Sequence, residues 1–192
     1  FNLNFEITDK NRKPKILIAV SKDSHCLNHL LHKNEVGALN AEITGVVSNH
    51  NDLKEIAERF GIKFTHLPIE NNKAEQEQKL LDLFEESDSE LLVLARYMQI
   101  LSEDLCNKLA GRAINIHHSF LPGFKGANPY KQAYDRGVKI IGATAHYVTS
   151  ILDEGPIIEQ EVQRVDHSFK PQDLKAVGED IENRVLFNAV KD

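Results

Sequence analysis

The chain has 192 residues, of which 41% are hydrophobic, and this is enough for one domain with a sizeable core. With 23 basic and 29 acidic residues the formal net charge is −6, and no basic run suits a nucleic-acid backbone, so we expect small molecules or other subunits as partners and no nucleic acid. No segment approaches the ~20 apolar residues that cross a bilayer and no signal peptide is evident, so we expect no membrane partner. Cys26 and Cys106 are far apart in the sequence, which favours a reducing compartment, and we therefore expect a cytoplasmic protein.

The first residues alternate between apolar and polar side chains, with Phe1, Leu3, Phe5 and Ile7 at every second position. This period is typical of a half-buried strand, and the charged run at 8–14 follows it as a linker. We therefore expect residues 1–14 to be the end of a preceding domain plus a linker. Residues 15–192 are expected to form the domain that carries the function.

From Lys15 onward, apolar runs that predict strands alternate with segments of helical period. The strands are predicted at 15–20, 43–47, 63–67, 91–95, 113–117, 139–148 and 157–165. The helices are predicted at 25–33, 53–60, 73–86, 103–109, 130–136 and 170–191. Because parallel strands need crossover helices, this order predicts an α/β, Rossmann-like fold with a mostly parallel, open twisted sheet and helices on both faces.

The loop at 21–24 joins the first strand to the first helix, which is a common anion-binding position, but it contains no glycine. His25, His29 and His32 follow on one face of that helix. Two histidines four residues apart can share a zinc ion, yet no nearby Glu or Cys completes a recognisable motif, so we expect no metal. The remaining interpretations are a helix surface, a subunit contact, or His25 as a donor near the loop.

The strand at 113–117 carries Asn115 and His117, which point to the same face because they lie two residues apart. An amide donor beside an imidazole, at the carboxyl end of a strand, suits polarising a carbonyl while moving a proton. Asp153, in the irregular run at 150–156, could supply a carboxylate that sets the charge of the imidazole and orients a water molecule. The alternatives are that Asn115 and His117 are structural and that Asp153 forms a turn.

Four segments of the sequence resemble the folate-dependent formyltransferase superfamily, and within it most closely the formyltetrahydrofolate deformylases. They are NIHHSFLP at 115–122, GANPY at 126–130, GATAHYV at 142–148 and LDEGPII at 152–158. They occur in the expected order, and the resemblance runs from about Lys15 to the end of the chain.

This resemblance implies the formyltransferase fold and hydrolysis of 10-formyltetrahydrofolate to tetrahydrofolate and formate, which balances one-carbon folate pools for purine biosynthesis. The folate is then the substrate together with water, and no cofactor is expected. It also implies a homo-oligomer, and a preceding regulatory domain of the ACT type that would end within residues 1–14.

The resemblance further assigns catalysis to Asn115, His117 and Asp153. In this hypothesis Asn115 donates to the oxyanion, Asp153 stays ionised and holds the water, and His117 shares the oxyanion and passes on a proton. His118 and His146 are expected to be structural or to support these side chains. The folate would be bound by a set of residues after the fourth strand and near the end of the sixth, namely Tyr97, Met98, Gln99, Ile100, Leu101 and Val148, although Tyr97 and Met98 could equally be core residues.

Two other functions remain open. A formyltransferase could pass the same group to an amine acceptor such as glycinamide ribonucleotide or a charged tRNA, with unchanged chemistry at the three catalytic residues. The glycine-free loop at 21–24 and the acidic charge balance argue against this alternative. A folate-binding or regulatory module without catalysis would be favoured only if Asn115, His117 and Asp153 failed to converge in space.

Overall fold

A computed structural model describes residues 12–69, 72–123 and 129–191, so the strand predicted over Phe1 to Ile7 lies outside the described residues. The described elements follow the predicted order closely. The strands are β1 (Lys15–Val20), β2 (Glu42–Ser48), β3 (Phe64–His66), β4 (Leu91–Leu94), β5 (Ala113–His117), β6 (Ile140–Tyr147) and β7 (Ile157–Arg164). The helices are α1 (His25–Glu35), α2 (Lys54–Arg59), α3 (Lys73–Glu86), α4 (Glu103–Lys108), α5 (Pro129–Asp135) and α6 (Pro171–Lys191).

The strands of the described residues form one seven-stranded sheet in the order β3-β2-β1-β4-β5-β6-β7. The pairs from β3 to β5 are parallel, whereas β5–β6 and β6–β7 are antiparallel. The strand order reverses between β1 and β4, and ligands of open α/β sheets bind beyond the carboxyl ends of the strands at such a point.

The core lies on both faces of the sheet, as β1 illustrates. Ile16, Ile18 and Val20 pack into the apolar cluster that contains residues of α1, α2 and α6. Leu17 and Ala19 point to the other face and pack with residues of α3 and α4. A strand that is buried on both faces needs an unbroken apolar run, and this is why the period of two is absent from β1.

Helix ends follow the local sequence. The side chain of Ser102 caps α4 by accepting a hydrogen bond from the backbone N–H of Leu105, at 3.3 Å. After α2 and α5 the chain reverses at Gly61 and Gly137, whose φ angles of +71° and +60° favour glycine. Among the helices described, none combines the length and the apolar character needed to cross a membrane.

Candidate active site

The three residues predicted to be catalytic converge beyond the carboxyl end of β5. His117 Nδ1 lies 3.3 Å from Asp153 Oδ1. Asn115 shares the face of β5 with His117, and its Nδ2 lies 3.3 Å from His146 Nε2, which in turn lies 3.9 Å from Asp153 Oδ1. His117, His146 and Asp153 are all buried. The condition that would have favoured a non-catalytic module, a failure to converge, is therefore not met.

His146 reaches the site because β6 pairs antiparallel with β5 and places it opposite Asn115. Its Nδ1 lies 2.9 Å from the carbonyl oxygen of Tyr147, which can only accept, so Nδ1 carries the proton and donates. Burial lowers the pKa of His146, and the neutral ring leaves Nε2 as an acceptor. Asn115 Nδ2 therefore donates to His146, and this fixes the orientation of the Asn115 amide.

Asp153 depends on an unusual backbone for its position. Its φ angle is +58°, a left-handed conformation that costs energy for a residue other than glycine. Two residues later the chain passes so close to the end of β6 that a Cβ on Gly155 would lie 1.7 Å from the carbonyl oxygen of Tyr147. The backbone N–H of Tyr147 also donates to the carbonyl of Pro156 at 2.9 Å. These contacts hold the loop against β6 and present the Asp153 carboxylate to His117.

A cavity of about 250 Å³ opens beside these side chains. All the residues predicted to contact folate line it, namely Tyr97, Met98, Gln99, Ile100, Leu101 and Val148. Tyr97 is buried, and its hydroxyl accepts a hydrogen bond from Gln76 Nε2 at 3.0 Å. The backbone N–H of Met98 donates to Ser21 Oγ at 3.0 Å, so that donor is already used within the protein. The cavity is therefore largely apolar, with convergent polar groups at the end formed by Asn115 and His117.

The sequence analysis missed a buried ionic network that adjoins this cavity. Arg96 follows β4 with a φ angle of +65°, and its Nη2 lies 2.9 Å from Asp23 Oδ2 and its Nε 3.5 Å from Glu182 Oε2. Glu182 is 1% exposed, accepts a short hydrogen bond from the Tyr130 hydroxyl, and lies 2.8 Å from His25 Nε2. A signal was present in the sequence, since Glu182 stands on the apolar stripe of α6 beside Ile181 and Val185.

In this network the opposite charges of Glu182 and Arg96 each favour the ionised form of the other. Burial by itself would raise the pKa of Glu182, but the hydrogen bond from His25, the charge of Arg96 and the hydrogen bond from Tyr130 outweigh it and hold that pKa below its usual value. Burial would lower the pKa of Arg96, but the carboxylates of Glu182 and Asp23 raise it. Glu182 and Arg96 are therefore both charged.

The three histidines of α1 have separate environments and do not form a common site. His25 joins the network, His29 packs edge-on against Phe187 with 5.9 Å between ring centroids, and the side chain of His32 is 60% exposed.

Along the sequence, no Glu or Cys near the α1 histidines completes a recognisable metal motif. The fold instead brings Glu182 near His25 and Cys26, with their ligand atoms within 4.8 Å of one another. Two features oppose a metal there. The guanidinium of Arg96 already faces the Glu182 carboxylate, and burial followed by the Glu182 charge raises the pKa of the Cys26 thiol well above its usual value.

His118 is the first residue after β5, and its ring contacts both His117 and Tyr130 of α5. Its ring centroid is 5.3 Å from that of His117 and 6.1 Å from that of Tyr130. Burial and then the charge of Arg96 lower the pKa of His118 to about 3, so its ring is neutral at physiological pH. His118 also lines the cavity beside the predicted catalytic residues, as does His146.

Comparison with known proteins agrees with this fold. The sequence matches the formyl transferase family over residues 14–190. A formyltetrahydrofolate deformylase of Corynebacterium sp. (strain P-1) is 53% identical over all of this chain and 67% of its own length. The crystal structure of a formyltetrahydrofolate deformylase from Burkholderia mallei is 58% identical, with a TM-score of 0.92 over 96% of this chain and 66% of that one.

A more distant structure has the same fold. Glycinamide ribonucleotide transformylase 1 from Symbiobacterium toebii is 27% identical, with a TM-score of 0.89 over 100% of this chain and 90% of that one. The chain spans about two thirds of the length of the two deformylases. The predicted fold class and the predicted resemblance to the deformylases are both confirmed, and the chain belongs to the formyl transferase family.

Proposed function

We propose that this chain hydrolyses 10-formyltetrahydrofolate to tetrahydrofolate and formate, and that residues 15–192 form the catalytic domain. The observation that carries the proposal is the meeting of Asn115, His117 and Asp153 at one end of an apolar cavity. Identities of 53% and 58% to formyltetrahydrofolate deformylases support hydrolysis as the reaction. The products would supply formate and balance the one-carbon folate pools used in purine biosynthesis.

The reaction divides among the three side chains. Water attacks the formyl carbon, the carbonyl oxygen becomes an oxyanion, and the carbon–nitrogen bond breaks once the folate nitrogen has received a proton. Asn115 gives one N–H to His146, so the second N–H of the same amide is the donor for the oxyanion. Such a donor contributes about 2.7–4 kcal/mol to transition-state stabilisation in other enzymes.

Asp153 orients the attacking water and holds the neighbouring imidazole of His117 in place. Because His117 directs Nδ1 towards Asp153, its Nε2 is the nitrogen that serves the substrate. In its protonated form this imidazole shares the oxyanion and then donates a proton to the departing nitrogen, while the carboxylate takes up a proton from the water. The folate is a substrate in this scheme, and the proposal requires no cofactor and no metal.

The flat ring of the folate would lie between the segment 97–101 and Val148. Tyr97 is fixed by its hydrogen bond from Gln76 and offers a rigid wall. Because the N–H of Met98 is already bonded to Ser21, the ring would use other backbone groups of this segment. Met98 and Ile100 are exposed beside the opening, where they could contact the rest of the substrate.

We also propose a homo-oligomer that acts in the cytoplasm. In the described sheet β7 is an outer strand and exposes Ile157 and Val162, which a second copy could cover. Cys26 and Cys106 are both free thiols, as expected in a reducing compartment. Light scattering of the purified protein would test the oligomer, and a monomeric mass at micromolar concentration would contradict it.

The decisive experiment is to incubate the protein with 10-formyltetrahydrofolate and no amine, and to measure formate. We expect steady release, and its loss in His117→Ala. The matched control is His32→Ala, which removes an exposed histidine of α1 and should leave the rate unchanged. Turnover that begins only when an amine acceptor is supplied would reject hydrolysis and favour the transferase alternative, whose chemistry uses the same three side chains.

A further inference from the structure

A second cavity, of about 340 Å³, adjoins the first. Its lining includes Asp23, His25, Tyr130 and Glu182, and it shares Arg96 and His118 with the first cavity. Arg96 and His118 are therefore the partition between the two spaces. Any reactant that approached the formyl group from the second cavity would have to pass this partition.

The partition is held in place by contacts on its far side. The ring of His118 packs edge-on against Tyr130, whose hydroxyl donates to Glu182, and Glu182 also pairs with His25 and Arg96. The side chains of His25, Arg96 and Glu182 are 14%, 10% and 1% exposed, so moving His25 or Arg96 would take a partner away from the buried Glu182 carboxylate.

Tyr130 is also seated on α6 by a close contact that only glycine permits. A Cβ added to Gly178 would lie 2.1 Å from the ring and the hydroxyl oxygen of Tyr130. The phenol end of the ring therefore lies against Gly178, one turn before Glu182, and its hydroxyl reaches the carboxylate from there. This arrangement fixes the ring that supports His118.

The same fold occurs in a glycinamide ribonucleotide transformylase, whose name describes an amine-bearing acceptor much larger than water. In such a reaction the amine nitrogen attacks the formyl carbon and loses a proton, the bond to the folate nitrogen breaks, and that nitrogen gains a proton. An acceptor of this size needs its own space beside the folate. Among the residues that the structure describes, Arg96 and His118 stand between the second cavity and the site, and the Asp23, Arg96, Glu182 and His25 side chains of that cavity are paired with one another.

We propose that the partition formed by Arg96 and His118, with Tyr130 and Glu182 supporting it, determines specificity, because it closes the acceptor side of the site and reserves the formyl group for water. This inference rests on the proposed hydrolysis and adds the reason why the product is formate instead of a formylated amine. The residues of the partition are positioning residues, since they act by excluding a competing nucleophile.

The test measures how the formyl group is divided between water and an amine. 10-Formyltetrahydrofolate with an isotopic label in the formyl carbon is incubated with each protein and glycinamide, and formylglycinamide and formate are both quantified after subtraction of the enzyme-free reaction. Wild type should give formate almost exclusively. In His118→Ala and in Tyr130→Ala the ratio of formylglycinamide to formate should rise at least tenfold.

Two further variants distinguish loss of the Tyr130 ring from loss of its hydroxyl and from an unrelated change on α5. Tyr130→Phe keeps the ring and loses only the hydroxyl that bonds Glu182, so its product ratio should stay near that of wild type. Tyr134→Ala is the matched control, because Tyr134 lies on the same helix and is 47% exposed. Its product ratio and its rate should both equal those of wild type.

The outcomes distinguish this inference from the proposed function. If wild type releases no formate in water, the proposed hydrolysis fails whatever the variants do. If wild type hydrolyses the substrate but His118→Ala and Tyr130→Ala keep its product ratio, the partition does not select the nucleophile and the inference is overturned. A folded His118→Ala that makes neither product would also overturn it, since His118 would then belong to the water chemistry.

Discussion

Gly155→Ala is predicted to damage catalysis without touching any residue that contacts the substrate. A Cβ at this position would lie 1.7 Å from the carbonyl oxygen of Tyr147, and Cβ atoms essentially never approach closer than 3.0 Å. The loop or the end of β6 must therefore move by about 1.3 Å to reach that limit. Asp153 lies two residues away on the same loop, so its 3.3 Å approach to His117 Nδ1 should be lost.

A misplacement of about 1 Å at a catalytic group typically lowers the rate ~100-fold, and we expect a kcat for formate release lower by about that factor. The KM should change less than threefold, since the segment 97–101, which is proposed to bind the folate ring, follows β4 and is not part of the displaced loop. The strain should also lower the free energy of unfolding by about 1–3 kcal/mol, measured by urea denaturation.

Two other glycines provide controls. In Gly45→Ala the new Cβ would meet its nearest atom, the carbonyl oxygen of Lys63, at an ordinary 3.4 Å, so rate and stability should hardly change. In Gly142→Ala the Cβ would lie 2.3 Å from the carbonyl oxygen of Glu161, so this variant strains the β6–β7 pairing without acting on the Asp153 loop. A folded Gly155→Ala with kcat within threefold of wild type would refute the role of this contact.

Three further predictions concern the buried charges and their support. Asp153→Asn keeps the shape of the side chain and removes its charge, so kcat in initial-rate assays should fall at least ~100-fold at nearly unchanged KM. A loss below tenfold would mean that Asp153 only forms the turn. Because the pKa of Glu182 is lowered from 4.5, its ionised form stabilises the fold above pH 4.5, and this stabilisation is lost as the pH falls through the lowered folded value. Thermal melts of Glu182→Gln should therefore differ from wild type most above pH 5 and converge with it in acid; an equal difference at all pH values would contradict this. Gly178→Ala should displace Tyr130 and lower the free energy of unfolding, measured by urea denaturation, by about 1–3 kcal/mol. Adding Tyr130→Ala to the same chain should largely remove this loss, because the side chain that the new Cβ meets is then gone. Additive effects of the two changes would argue against the contact.

Elements with strong local patterns were predicted with the bounds that the structure shows. β1 is an unbroken apolar run and α3 has a helical period that begins after Asn72, whose side chain accepts from the backbone N–H of Glu75. The shared face of Asn115 and His117 also follows from the local sequence, because strand residues two apart always point the same way. None of these features depends on the rest of the chain.

Other features depend on how distant segments meet. The approach of Asp153 to His117 needs the antiparallel β5–β6 pairing and the contact between Gly155 and Tyr147, and both depend on β6, which lies outside the run at 150–156. The orientation of Asn115 likewise depends on His146, which reaches it from across the sheet at a sequence separation of 31. A pattern search along the chain could name these residues but could not give their distances.

The sequence by itself determined the order of strands and helices, the shared face of Asn115 and His117, and the likeness to a folate-dependent family. Each of these depends on patterns among residues that are close along the chain. Only the tertiary structure decided that Arg96, Asp23 and Glu182 form one buried network beside the site, since the bond from Arg96 to Asp23 spans 73 residues and that from His25 to Glu182 spans 157. Charges pair according to where the folded backbone places them, and burial then makes that pairing obligatory.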